Sequence, residues 1–159
     1  LESIRVLCPD GRIESMDKSD LKFSYRSLSL AEENNKDLSS SVIIEGRFLL
    51  SQQRPEILQA EADELLKARK ESQPTALASA GCFFKNPDDF ESAGKLIDLA
   101  GGKGLRSGDA AVSEKHANFI VNQGRATAED ILRLMHTVQE LVLKKFNILL
   151  EPEVKIVGN

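Results

Sequence analysis

The stretch Ala80-Gly81-Cys82-Phe83-Phe84-Lys85-Asn86-Pro87 sets a small side chain able to act as nucleophile or proton donor between a glycine and two aromatics. A cation, an amide and a proline follow. Glycine tolerates a positive φ or a close backbone approach, and proline fixes the next bend and keeps its predecessor out of helix. The stretch reads as a rigid turn that presents Cys82, Lys85 and Asn86 to a polar ligand, and not as a core strand. Three further islands carry polar chemistry: Tyr25-Arg26-Ser27, Ser113-Glu114-Lys115-His116-Ala117-Asn118 and Glu151-Pro152-Glu153-Val154. Taken singly, each has a plainer reading. Tyr25 and Arg26 suit a surface stack, Cys82 a small buried hydrophobe, His116 a hydrogen-bonded structural histidine, and Glu153 a solvated side chain.

The elements that would position these islands follow from periodicity. Leu1–Leu7 alternates like a strand, and Pro9-Asp10-Gly11-Arg12 is a turn, so Arg12–Met16 is the expected return strand. Residues 30–41 are polar and predict a surface loop. Val42-Ile43-Ile44 through Phe48-Leu49-Leu50 predicts one buried strand. Pro55 suits the first position of a helix, with Ile57, Leu58, Ala60, Leu65 and Leu66 as an uneven stripe, Lys67, Arg69 and Lys70 near its end, and Gln73-Pro74 as its stop. Ala93–Asp98 predicts a short helix closed by Gly101-Gly102. Phe119-Ile120-Val121 predicts a strand, turned by Asn122-Gln123-Gly124. Thr127 with Asp130 resembles a capping box, ahead of Ile131, Leu134, Met135, Val138, Leu141, Val142 and Phe146 at helical gaps. Ile148–Val157 predicts a last strand interrupted by Pro152. Strands and helices without regular alternation predict an α+β fold.

Composition narrows the function classes. The chain has 159 residues, 41% hydrophobic and 29% charged, enough for one ordinary globular core. A net charge of -4 argues against a nucleic-acid partner. No apolar run approaches the roughly 20 residues that span a bilayer, so no membrane partner is expected. Cys8 and Cys82 are too few for a disulfide framework, and two histidines make no His-rich metal site. A reduced, cytoplasmic protein is expected. The chain opens on Leu1 and not on a methionine, so it is expected to be a piece of a longer protein.

Read in order, the islands resemble the C-terminal part of the UDP-N-acetylenolpyruvoylglucosamine reductase family of peptidoglycan precursor synthesis. Phe23–Ser27 looks like the family's F-x-Y-R-x-S segment, and Gly81–Pro87 is similar to its G-S-x-F-K-N-P loop. Gln73-Pro74, Ala93-Gly94-Lys95-Leu96-Ile97, Gly104-Leu105-Arg106, Val112–Asn122 and Leu150–Val154 fit the pattern between and after them. The resemblance implies a substrate-binding C-terminal domain over residues 75–159. Residues 1–74 would be a remnant of the second FAD-binding subdomain.

It also implies the chemistry: FAD reduced by NADPH passes a hydride to the enolpyruvyl ether of UDP-N-acetylglucosamine enolpyruvate, and a proton reaches the adjacent carbon to give UDP-N-acetylmuramate. By position, Cys82 matches the family's proton donor. Arg26 and Glu153 match residues that polarise the carboxylate and stabilise the enol, a role that suits the planar fork of arginine. Tyr25, Asn86 and Lys85 would hold substrate, and Gln73, Lys95, Ser113 and His116 would shape the surrounding loops. The family usually has serine at the Cys82 position; a thiol, with a reference pKa of about 8.5, is the stronger acid and can take the same role. The family's glycine-rich flavin loops have no counterpart here, so cofactor-binding residues are left unassigned and no metal is expected. A monomer is expected. The spacing from Arg26 to Cys82 suggests the subclass without an extra tyrosine loop. One alternative is a UDP-sugar-binding module that is inactive without the flavin region. Another is a truncated product whose residues 1–50 expose strand edges.

Overall fold

The computed structural model describes residues 1–25, 27–31, 38–88 and 90–158, and the chain divides into two compact units, Leu1–Arg54 and Pro55–Asn159. In the first unit, β1 (Ser3–Leu7) and β2 (Ile13–Asp17) form the expected antiparallel hairpin. The Arg12 Nε–H donates to Asp10 at 2.7 Å across its turn. β3 (Leu21–Ser24) and β4 (Ser27–Leu30) form a second antiparallel pair in which Ser24 opposes Ser27. β5 (Val42–Arg47) lies on the other edge of β1, giving the order β2-β1-β5. Ile4, Val6, Met16 and Leu21 are the buried core.

β5 corrects the expectation of a buried strand through Leu50. It stops at Arg47, every residue in it is exposed, and Phe48, Leu49 and Leu50 lie beyond its end and are also exposed. The reason is topological. Among the described residues β5 is hydrogen-bonded to β1 alone, and an apolar run by itself does not separate an edge strand from a central one.

The second unit opens with α1 (Pro55–Ser72), which starts at Pro55 and stops before Gln73-Pro74 as expected; its stripe stays open, with Leu58, Leu65 and Leu66 exposed. β6 (Ala78–Cys82) follows, then α2 (Ala93–Leu99), β7 (Arg106–Ser107), β8 (Ala110–Val112), β9 (Phe119–Asn122) and α3 (Ala128–Phe146). The strands make one antiparallel sheet of order β6-β9-β8-β7, so the fold is α+β. β6 corrects the reading of Cys82 as part of a rigid turn and not of a strand, because the residue ends a strand and is paired with Phe119.

α3 has the cause its sequence implied. Thr127 Oγ1 accepts the Asp130 N–H at 3.1 Å while Asp130 Oδ2 accepts the Thr127 N–H at 2.9 Å, the reciprocal cap of a helix start. Asn147, at φ 57, ends it in the left-handed region. Leu134, Met135, Val138 and Val142 face inward and join Phe84, Leu96, Ile97, Val112, Ile120 and Leu150 in one core. The expected strand over Ile148–Val157 is absent. Pro152 makes a single bridge with Phe84, flanked by the Lys85 N–H to Glu151 carbonyl bond (2.9 Å) and the Glu153 N–H to Phe83 carbonyl bond (2.8 Å). Proline has no N–H to extend that ladder. Among the described residues no helix is long and apolar enough to cross a membrane.

Candidate functional site

The local backbone explains how Cys82 is presented. Gly81 sits at φ 87, and the pairing register between β6 and β9 shifts between Ser79 and Cys82. Such a bulge twists the strand and re-aims the side chain that follows, and the left-handed geometry favours glycine. Cys82 is half-buried, and the next two residues dive into the core, Phe83 at 4% and Phe84 at 1% exposure. The rings of Phe83 and Phe84 lie 5.4 Å apart and tilted. The thiol residue therefore stands at the rim of the unit, anchored by aromatics beneath it.

The C-terminal segment lies alongside. Glu153 donates its N–H to the carbonyl of Phe83, the residue after Cys82, so the thiol and carboxylate residues lie on adjacent segments. Glu153 is half-buried and its Oε2 is withdrawn from solvent. Lys85 Nζ forms an ion pair with Glu151 on the same segment. The Asn86 side-chain oxygen accepts the Ala93 N–H at 3.0 Å and ties the loop to the start of α2. The second unit by itself thus gathers Cys82, Lys85, Asn86 and Glu153. Tyr25 belongs to the first unit, at the connection between β3 and β4, and Arg26 lies outside the described residues.

A cavity of about 410 Å³ opens beside Gly81, walled by Arg69 and Lys70 of α1, Gln73, Ser79 and Phe119. Arg69 and Lys70 were legible as helix-terminal cations, favourable at that end of the macrodipole; their place on a cavity wall depends on where α1 lies against the sheet. Lys115 adds to this by donating from Nζ to the Lys70 carbonyl at 2.8 Å.

His116 has the structural part expected of it. Its Nδ1 accepts the Asn118 N–H at 3.2 Å, and its ring meets the edge of Phe119 at 4.9 Å. Burial pushes its pKa below the ordinary value, and the charge of Lys103 adds to the effect. Ser113 Oγ accepts the N–H groups of Lys115 (3.1 Å) and His116 (3.3 Å) and rounds the turn before β9. Asn118, the last residue of its island, was given no role of its own from the sequence. Its signal was an amide inside the apolar run Ala117-Asn118-Phe119-Ile120, where a buried polar side chain needs partners.

The glycine turns of the second unit do not form a pyrophosphate cradle. At Gly104 and Gly108, where a backbone could approach a pyrophosphate, a Cβ would meet the carboxylates of Glu114 and Asp130, groups that repel an anion. Gly101-Gly102 follows α2, at the helix end that does not attract phosphate. Among the described residues no cluster of three or more His, Cys, Asp or Glu side chains could hold a metal ion.

Residues 73–157 match the family model for the C-terminal domain of UDP-N-acetylenolpyruvoylglucosamine reductase. The UDP-N-acetylenolpyruvoylglucosamine reductase of Desulfosudis oleivorans is 46% identical over 158 residues, 99% of this chain and 50% of that protein. The protein of the same name from Listeria welshimeri is 42% identical, over 99% of this chain and 51% of its own length. The crystal structure of the UDP-N-acetylenolpyruvylglucosamine reductase from Thermus caldophilus is similar with a TM-score of 0.76 at 38% identity, covering 98% of this chain and 52% of that one. The chain spans about half the length of the curated relatives it matches.

Proposed function

The chain belongs to the UDP-N-acetylenolpyruvoylglucosamine reductase family, and from that premise we propose that it carries the substrate-protonating part of this reductase in peptidoglycan precursor synthesis. We assign residues 75–159 to the substrate-binding domain and residues 1–74 to the closing part of the flavin-binding region. FAD and its reductant NADPH, which supply the hydride, are assigned to the half of the relatives' length that this chain does not match.

What these residues do follows from the chemistry of the substrate. Hydride addition to the enolpyruvyl ether places negative charge on an enol-carboxylate unit, which calls for cationic or hydrogen-bond donors aimed at it and one positioned acid. Cys82 is that acid: its S–H bond breaks, the proton joins the carbon next to the reduced one, and a thiolate remains until solvent reprotonates it. Glu153 and Arg26 polarise the carboxylate and stabilise the enol. Tyr25 and Asn86 hold the sugar nucleotide, and Lys85, paired with Glu151, is the lesser candidate for the same role. The observation that supports this reading is the adjacency of the Cys82 and Glu153 segments inside the region matched to the family's C-terminal domain.

Calorimetric titration of the chain with UDP-N-acetylglucosamine enolpyruvate is the test. One saturable site, weakened by Asn86→Ala, is expected; no heat of binding to a folded chain would remove the reading. A second reading has its own support in the half-length coverage: a UDP-sugar-binding module without turnover. A visible absorption spectrum separates the two, since only the first requires a flavin band in the working protein.

A further inference from the structure

Asn118 is 3% exposed and makes three contacts with the segment that follows Cys82. Its side-chain Oδ1 accepts the Phe84 N–H at 2.9 Å, and its Nδ2 donates to the Phe84 carbonyl at 2.8 Å. Its backbone carbonyl accepts the Phe83 N–H at 2.7 Å. On the opposite side, the Phe83 carbonyl accepts the Glu153 N–H at 2.8 Å. Every main-chain polar group of Phe83 and Phe84 is thereby held, three by Asn118 and one by the segment bearing Glu153. An Asn amide that grips both the N–H and the C=O of one residue imitates a strand partner where the ladder has lapsed after Cys82. Asn118 is itself held, since its own N–H donates to His116 Nδ1.

We propose that Asn118 is a positioning residue for the proton-donating step, fixing the thiol-bearing end of β6 relative to the Glu153 segment through its two-sided clamp on Phe84. The inference rests on the reading of Cys82 as the acid. Phe84 is the last core residue before the loop of Lys85 and Asn86, and Cys82 is two residues upstream with a bulge behind it at Gly81. A chain hinged at a bulge on one side and a clamp on the other keeps one geometry only while both hold. Removing the amide leaves a buried N–H and a buried C=O without partners, and the segment must move to find water.

The test uses the chain with Cys8→Ser, so that Cys82 is its one thiol, and follows alkylation by iodoacetamide by mass across pH 6–9. Hydrogen exchange of backbone amides is recorded on the same samples. Asn118→Leu, which shares the branched skeleton and lacks both polar atoms, is expected to raise the labelling rate by at least about threefold and to shift its pH midpoint, because the thiol's environment governs its reactivity. Phe84 should lose amide protection while Val121 and the α3 amides keep theirs. Asn118→Asp, which keeps the acceptor and loses the donor, is the second variant; it is expected to fall between Leu and the parent, and it decides the matter where Leu does not fold. An unchanged rate and midpoint in a folded variant overturns the proposal. So does loss of protection across the whole second unit in both variants, which would make Asn118 a general core residue. Neither readout uses turnover, so failure of the acid assignment, seen as full activity in Cys82→Ala, is distinguishable from failure of the clamp.

Discussion

The two units solve the same problem with unequal means. The first, Leu1–Arg54, buries Ile4, Val6, Met16 and Leu21 and leaves Val42, Ile43, Ile44, Phe48, Leu49 and Leu50 exposed. The second, Pro55–Asn159, closes a sheet face under α2 and α3 with buried side chains drawn from both helices, from β8, β9 and from the terminal segment at Leu150. Hydrophobic stabilisation scales with apolar area removed from water, so the second unit has the means to hold a rigid site and the first does not by itself. The residues proposed for the site are distributed accordingly. Cys82, Lys85, Asn86 and Glu153 sit on the well-packed unit, and Tyr25 sits on the thinly packed one.

Each unit also holds one cysteine, Cys8 and Cys82, and the largest expected effect separates them. In a full-length reductase carrying this segment, Cys82→Ala should slow the protonation step by about 10²–10⁴-fold, the usual contribution of a positioned acid. Cys82→Ser should keep most of the activity, and Cys8→Ala should change nothing. Single-turnover decay of the enol intermediate with each variant decides the point; equal rates for Cys82→Ala and the parent would take the thiol out of the mechanism.

The next effect concerns packing. Leu134 is 1% exposed in α3, and Leu134→Ala should cost about 2–5 kcal/mol by lost transfer energy and cavity formation. Ile43, 55% exposed in β5, should tolerate alanine within about 0.5 kcal/mol. Amide-exchange protection read separately in α3 and in β1 measures both changes without assuming that the units unfold together. A comparable loss at the two positions would mean that β5 is covered in solution.

Sequence pattern carried much of this fold, and unevenly. α3 was legible because its apolar gaps, its Thr127–Asp130 cap and its end all agree. The β1–β2 hairpin was legible from its Pro-Asp-Gly turn. β7 and β8 were not: Arg106–Ser107 and Ala110–Val112 are too short for alternation to register, and they exist as strands because β9 and α3 hold them. The candidate site was proposed from residue types in order. Its cohesion was not legible. That Glu153 lies beside Phe83, and that Asn118 grips Phe84, depend on partners 34 or more residues apart, which no local signal encodes. The apolar run at 42–50 misled for the complementary reason, since burial belongs to the neighbours of a strand and not to its composition.

A smaller effect tests the start of α3 against the rest of its unit. Thr127→Ala removes an oxygen that accepts the Asp130 N–H and should cost about 1 kcal/mol. The same reciprocal bonds hold the Asp130 carboxyl below its ordinary pKa, the backbone bond from Thr127 being the larger cause. The signature is therefore local: Asp130 should titrate closer to 3.8 in the alanine variant, as read by carboxyl chemical shifts. An unmoved titration would assign the shift to the Thr127 backbone N–H, which alanine keeps, and not to the hydroxyl.

The smallest effect sharpens the contrast most, because both histidines of the chain lie in the second unit. His116 holds the Asn118 N–H through an unprotonated Nδ1, and burial lowers its pKa from the ordinary 6.5. The folded state thus favours the neutral ring, whereas the unfolded chain takes up a proton at about pH 6.5. Stability contributed by this group is fully present above pH 6.5, falls as pH drops below it, and stops falling once the pH is under the depressed folded value. Protonation would also turn Nδ1 into a donor facing another donor, and Lys103 adds its repulsion to the new charge. Amide protection of β9 should therefore decline between pH 7 and pH 5 in the parent, and His116→Gln, which can accept a hydrogen bond without titrating, should flatten that part of the decline. Protection in β1 should follow the same course in both forms. An identical decline of β9 in the glutamine variant would mean that acid weakens the second unit elsewhere, and that His116 holds the Asn118 turn without sensing pH.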